Sequence, residues 1–288
     1  MTQITASQVK ELRDKTGLGM MDCKRALQEA NGDIEEAITN LRKSSALKAE
    51  KKASRTAVEG VMLSYLNDNK TTALLIEVNC ETDFVAKDEN FISFCETVLS
   101  SAKKIMESND ALEALQSEME EQRQALIQKI GENIKIRKLE ALSGTKVEVY
   151  LHGNKKIAVA VSMQEGTEEV AKDLAMHIAA SSPLVVLPED LEEEILEKER
   201  DIITSQVAGE NKPPEIQEKM IEGRINKYLS DISLVKQPFV KDLNKSVQSL
   251  LDETGSTVNS FIRIEVGEGI EVEEKDFASE VMSQIGGT

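Results

Sequence analysis

The sequence predicts an α+β protein. It reads as an N-terminal three-helix module, a duplicated hairpin-plus-helix core with antiparallel sheets, an inserted antiparallel coiled-coil hairpin and a C-terminal helix. Three observations carry this expectation. Helix-capping signals crowd the first 55 residues, a gapless internal repeat runs through the middle of the chain, and a narrow apolar stripe broken at Pro213-Pro214 follows the second repeat. Only 15 Gly and 5 Pro occur in 288 residues, well below the usual ~12%, which favours long regular elements.

In chain order, Thr5-x-x-Gln8 has the form of a capping box and opens a helix through Val9, Leu12 and Arg13. Gly17 and Gly19 break it, and a second helix carries Met21, Ala26, Leu27 and Ala30 before Asn31-Gly32. Asp33-x-x-Glu36 caps a third helix with Ile34, Ala37, Ile38 and Leu41. The basic stretch Lys43 to Lys52 suits a linker or a frayed helix. Next comes the repeat: at a constant offset of 85, Tyr65-Leu66 recurs as Tyr150-Leu151, Asn69-Lys70 as Asn154-Lys155, and Val85-Ala86-Lys87-Asp88 as Val170-Ala171-Lys172-Asp173. Each copy has the periodicity of strand, turn, strand and then helix, with strands at 60–66 and 73–79, then 146–151 and 157–163. Between the copies, Ser108 to Ile130 reads as a charged helix closed by Gly131. Pro188-Glu189-Asp190 opens a helix through Leu191, Ile195, Ile202 and Val207, and Ile216, Met220, Ile225 and Leu229 continue the stripe beyond Pro214. Phe261 to Val266 alternates as a strand, and 276–282 forms a terminal helix. The expected units are 1–55, 56–142, 143–187 with 231–270, 188–230 for the hairpin, and 271–288.

Composition narrows the function. The 35 Lys plus Arg against 52 Asp plus Glu give a formal net charge of −17, which opposes nucleic-acid binding and suits a basic partner. Cys23, Cys80 and Cys95 form no CxxC pair, and His152 and His177 are the only histidines, so neither a zinc site nor a cofactor is expected. No GxxxxGK[ST], GxGxxG or GxSxG motif occurs, so an enzyme is not expected, and a hidden hydrolase is a distant reading. His177 sits on an apolar helix, where packing is the ordinary role. With no run of 18 apolar residues and no basic-then-apolar start, the expected location is cytoplasmic, away from membranes.

The repeat also isolates a site. The strand-to-helix corner Thr82-Asp83-Phe84-Val85 of the first copy aligns with Thr167-Glu168-Glu169-Val170 of the second. Phe84 can plug its own core, or it can be an exposed anchor for a partner. Glu169 favours the second role, because a scaffold that needed an apolar plug there would tolerate a charge poorly in either copy.

The segments Leu12 to Lys24, Glu77 to Lys87, Ile130 to Ile134, Met176 to Ser181 and Gln237 to Val240 together resemble the bacterial elongation factor Ts family, along essentially the whole chain. The resemblance implies a UBA-like N-terminal module and a guanine nucleotide exchange factor for elongation factor Tu, acting in translation elongation as a heterodimer or heterotetramer with that GTPase. It assigns Thr82, Asp83, Phe84 and Val85 to dislocation of the partner's Mg²⁺, with Phe84 as the wedge. Arg13, Met20, Met21, Ile130, Gly131 and His152 become further partner contacts by the same resemblance. Read without it, the two methionines belong to the module's core, Gly131 is a helix stop and His152 an ordinary turn residue. The competing expectation for the whole chain is a non-catalytic acidic scaffold or chaperone-like binding protein.

Overall fold

The computed structural model describes residues 4–271 apart from 107, 109 and 211. The terminal helix expected at 276–282 lies outside the described residues. At the N-terminus α1 (Ala6–Thr16) starts at a complete Thr5–Gln8 capping box and stops at Gly17 in the left-handed conformation. Two further helices follow, α2 (Met20–Glu29) and α3 (Ile34–Lys52), the latter capped by the Asp33 carboxylate accepting from the Glu36 amide. Leu12, Leu18, Cys23, Leu27, Ala37 and Leu41 form their shared core.

The first half of the core holds β1 (Glu59–Leu66), β2 (Thr72–Cys80), α4 (Glu89–Ile105), α5 (Ala111–Ile130) and β3 (Lys135–Ser143). The second holds β4 (Lys146–Leu151), β5 (Ile157–Glu165) and α6 (Glu168–Ser181). It continues with α7 (Glu193–Ala208), α8 (Pro214–Ile232), the short strands β6 (Pro238–Phe239) and β7 (Asp242–Ser246), α9 (Val247–Thr254) and β8 (Thr257–Glu265). The main sheets have matching antiparallel orders, β1-β2-β3 and β4-β5-β8.

The repeat is a structural pseudo-dyad. β2 and β5 occupy equivalent residues throughout their lengths. The Met62 amide donates to the Lys155 carbonyl, and its equivalent, the Val147 amide, donates to the Lys70 carbonyl, both at 2.7 Å. Lys70 and Lys155 each adopt positive φ, 54° and 57°, in the matching hairpin turns. Met62, Ala73 and Leu75 on one sheet meet Val147, Ala158, Ala160 and Ile264 on the other. The outward faces pack on helices: Leu74, Ile76 and Val78 share a core with α4 and α5, and Val159, Val161 and Met163 one with α6. The central strands are therefore covered on both faces, which is why Ala73-Leu74-Leu75-Ile76 is a continuous apolar run rather than an alternating one.

Several local expectations are corrected. The stretch 43–52 is neither a linker nor frayed, because α3 runs unbroken to Lys52. Its small residues face the core: Ala49 joins the apolar cluster under α5, and the Ser45 hydroxyl meets the Gln128 side chain. Pro188 opens only a single 3₁₀ turn, with α7 starting at Glu193. The last strand begins at Thr257 and ends at Glu265. β3, the β6–β7 pair and α9 had no sequence expectation; β3 carries Lys135, Arg137, Lys138 and Glu140 and has no clean apolar pattern. The helices α7 and α8 pair through Ile203, Val207 and Ile225 to form a helical hairpin with arms of about 24 and 28 Å at 1.5 Å per residue. Among the described residues, no helix is long and apolar enough to cross a membrane.

Candidate functional site

The two halves also differ where their central strands give way to helix. In the second half Thr167 caps α6 at once, its hydroxyl accepting from the Val170 amide, so Glu169 lies inside the first turn. In the first half α4 does not begin until Glu89, the equivalent of Leu174, because Asp88 takes over as cap and accepts from the Asn90 and Phe91 amides. The residues released from the helix make a tight corner ending in a 3₁₀ turn at Val85–Lys87. Within it the Ala86 amide donates to the Thr82 carbonyl at 3.2 Å and the Lys87 amide to the Phe84 carbonyl at 3.2 Å. Val85 and Ala86 point into the core, while the Phe84 ring between them and Asp83 is 80% exposed. With φ −65° and ψ −47°, its backbone is unstrained.

A second loop fixes this corner. The Glu132 carboxylate accepts from the Glu81 and Thr82 amides, each at 3.0 Å, and from the Thr82 hydroxyl at 2.7 Å. In return the Glu81 carboxylate accepts from the Asn133 amide at 2.6 Å. Charge at the rim is locally balanced. The Lys87 ammonium, 2.7 Å from Asp83, holds that carboxyl below its usual range and is itself held above the ordinary lysine value by the same hydrogen bond. At the base, burial first and the Glu132 charge second push the Cys80 thiol up to about 12. Cys95 is shifted in the same direction by burial, and Cys23 is buried too. Thiolate is the reactive form. The native protein is therefore expected to show no fast-reacting thiol toward a chromogenic disulfide at pH 8 and three after denaturation; one rapid equivalent from the native chain would contradict this burial.

The remaining predicted positions lie at the end of α5, in the β4–β5 turn and on the N-terminal module. Ile130 is half-buried at the close of α5, and Gly131 stops that helix at φ 91°, its amide on the Ile127 carbonyl and open space where a side chain would stand. Its carbonyl accepts from the Lys52 ammonium. His152 is exposed in the β4–β5 turn, its Nδ1 3.0 Å from the Tyr150 hydroxyl. That turn continues as Gly153 to Lys156, which lines a groove of about 690 Å³ together with Val61, Cys95, Asp83 and Lys87, so the corner and the turn are two walls of one groove. Arg13, Met20 and Met21 lie on the N-terminal module, all exposed. Met20 and Met21 are 57% and 75% exposed, so they are not part of the module's core. The nearby Gly17 loop abuts the Lys129 ammonium, which also reaches Asn90 at the start of α4 at 2.7 Å. Glu132 was not anticipated; its role appears only when two segments fifty residues apart are folded together. His177 is buried, bonded to Gln237 at 3.0 Å and to the Val240 amide at 3.2 Å, and burial lowers its pKa. Among the described residues, no group of His, Cys, Asp and Glu could hold a metal ion.

Fold and corner together define an α+β protein built on a pseudo-dyad, one half of which carries a rigid aromatic projection beside a charged groove. Residues 81–268 match the family model described as Elongation factor TS. Elongation factor Ts of Hahella chejuensis is 52% identical over 289 aligned residues, covering 100% of both chains, and that of Marinobacter nauticus is 52% identical over 286, covering 99% of both. The Salmonella agona protein of the same name is 50% identical over 281 residues, 98% of each. The chain belongs to the elongation factor Ts family, and its work lies in translation elongation.

Proposed function

We propose that this chain is a guanine nucleotide exchange factor for elongation factor Tu. The observation that carries the reading is the Phe84 ring, held in solvent on a hydrogen-bonded turn that the matching corner of the other half lacks. A large apolar ring fixed on the surface is suited to fill a pocket in another protein without a large entropy loss on binding. Seated against the GTPase's nucleotide domain, Phe84 wedges beside the segment that holds Mg²⁺, and Asp83 engages polar groups there. That metal bridges and neutralises the nucleotide's phosphate oxygens, so displacing its surroundings weakens GDP. Arg13, Met20 and Met21 on the module, and Ile130, Gly131 and His152 on the core, supply the flanking grip.

Exchange needs no bond to break and hence no catalytic residue or cofactor in this chain. It follows from linkage: if the factor weakens GDP, then GDP weakens the factor equally, and a transient ternary complex releases nucleotide so that GTP can refill the site. On this reading the α1–α3 module is UBA-like, the α7–α8 hairpin is a coiled coil, and the units follow the boundaries 1–55, 56–142, 143–187 with 231–270, 188–230 and 271–288. Release of fluorescent GDP from purified elongation factor Tu, with and without the protein, tests the proposal. Acceleration that saturates with factor concentration is expected. Binding with no change in release would instead mark an acidic scaffold or chaperone-like partner.

A further inference from the structure

We infer that Glu132 is the positioning residue of the corner, acting on exchange only through Phe84; the inference rests on the proposed exchange function. Three donors of the corner, the Glu81 amide, the Thr82 amide and the Thr82 hydroxyl, converge on its one carboxylate at 2.7–3.0 Å. Hydrogen bonds to an ionised acceptor are roughly twice as strong as neutral ones, and three on one carboxylate tie the corner to the chain beyond α5. The Thr82 hydroxyl is used twice, since it also accepts from the Val85 amide at 3.3 Å, so the clamp reaches the residues on both sides of Phe84.

The clamp is itself anchored. Next to Glu132, the buried Asn133 side chain donates to the Arg55 carbonyl at 2.8 Å and to the Ala53 carbonyl at 3.4 Å, and the Asn133 amide is held by Glu81. Gly131, on the other side, has its carbonyl on Lys52. The 131–133 loop is thereby pinned to the chain leaving α3 and to the corner at once. The second half offers the control: there Thr167 caps its helix directly, among the described residues no distant carboxylate enters, and Glu169 stands where Phe84 does. The carboxylate clamp and the projecting ring occur together in one half, and the matching corner of the other has neither.

The test compares Glu132→Ala and Glu132→Gln, alone and combined with Phe84→Ala, in full-length protein. Glutamine can accept the two amides with its oxygen and donate to the Thr82 hydroxyl with its nitrogen, so it keeps the three contacts while giving up the charge; alanine removes them all. Glu132→Ala is expected to speed hydrogen–deuterium exchange of 81–87 by ~10-fold or more while β2 and α4 keep their protection, because the segment loses its fixed hydrogen bonds. It is also expected to slow stimulated GDP release by ~10-fold, the worth of ~1.4 kcal/mol, with Glu132→Gln within threefold of the parent. In the Phe84→Ala background the same change is expected to do nothing further, which a general loss of folded protein would not reproduce. If Glu132→Ala does not fold, Thr82→Val removes the hydroxyl arm, together with the acceptor for the Val85 amide, and enters the same comparison. Unchanged protection of 81–87, or an equal further loss without Phe84, overturns the inference. If the parent protein leaves GDP release unaltered, the exchange function falls, and hydrogen exchange alone decides whether Glu132 holds the corner.

Discussion

Replacing Phe84 by alanine is expected to reduce stimulated GDP release about 30-fold or more while leaving the protein's melting temperature within a degree or two of the parent. The two halves of this expectation come from one geometric fact. At 80% exposure the ring adds almost nothing to the protein's own core, and surface substitutions away from special features change stability by only ~0.5 kcal/mol. The same exposure leaves its apolar area free for a partner, where a central aromatic hot spot is worth ~2 kcal/mol or more. At ~1.4 kcal/mol per tenfold, that is about 30-fold in the step it promotes. The second half cannot supply a substitute, since Glu169 sits within an α-helical turn and not on a projecting corner. The measurement is fluorescent GDP release at saturating factor, paired with a thermal melt. Release within twofold of the parent with an unchanged melt would remove Phe84 from the mechanism.

What the sequence made legible was whatever depends on short-range signals or on the duplication. The Thr5–Gln8 box, the Asp33 cap and the Gly131 stop were readable because capping is chemistry between residues a few positions apart. The repeat exposed the pseudo-dyad and the Phe84/Glu169 asymmetry, which picked out the corner. Features that depend on distant partners stayed hidden. Small residues at Ser45 and Ala49 look like a linker until α5 is laid against them. β3 is held by pairing with β2 while carrying four charges and burying only Ile136, so no alternation marks it. Met21 reads as an apolar member of α2, yet Cys23, Ala26 and Leu27 already fill the inward face and leave it outside. The later start of α4 was also invisible, because Asp88 and its equivalent Asp173 are the same residue type in different roles: one caps a helix, the other pairs with Lys241.

The largest stability loss is expected from Arg137→Leu, about 3–5 kcal/mol in urea unfolding at pH 7. Glu77 is an anomaly within β2, a fully buried acid in a strand covered on both faces. Its carboxylate accepts from Arg137 at 3.0 and 2.8 Å, from the Asn79 amide group at 2.8 Å and from the Gly267 backbone at 2.8 Å. Arg137 also reaches the Glu268 carbonyl at 2.6 Å, so the pair ties β2 and β3 to the chain leaving β8. An intact buried pair adds little net stability, because desolvation offsets attraction. Removing one partner is different, since it strands a charge in an apolar layer and costs about 3–5 kcal/mol. Against the 5–15 kcal/mol that typically holds a domain together, that is a large share. Adding Glu77→Gln to Arg137→Leu is expected to recover part of the loss, because a neutral amide in the same place can still accept from Asn79 and Gly267. A loss below about 1 kcal/mol for Arg137→Leu, or a double variant less stable than the single, would show that the neutral donors suffice and that the guanidinium is not what makes a buried acid tolerable in this strand.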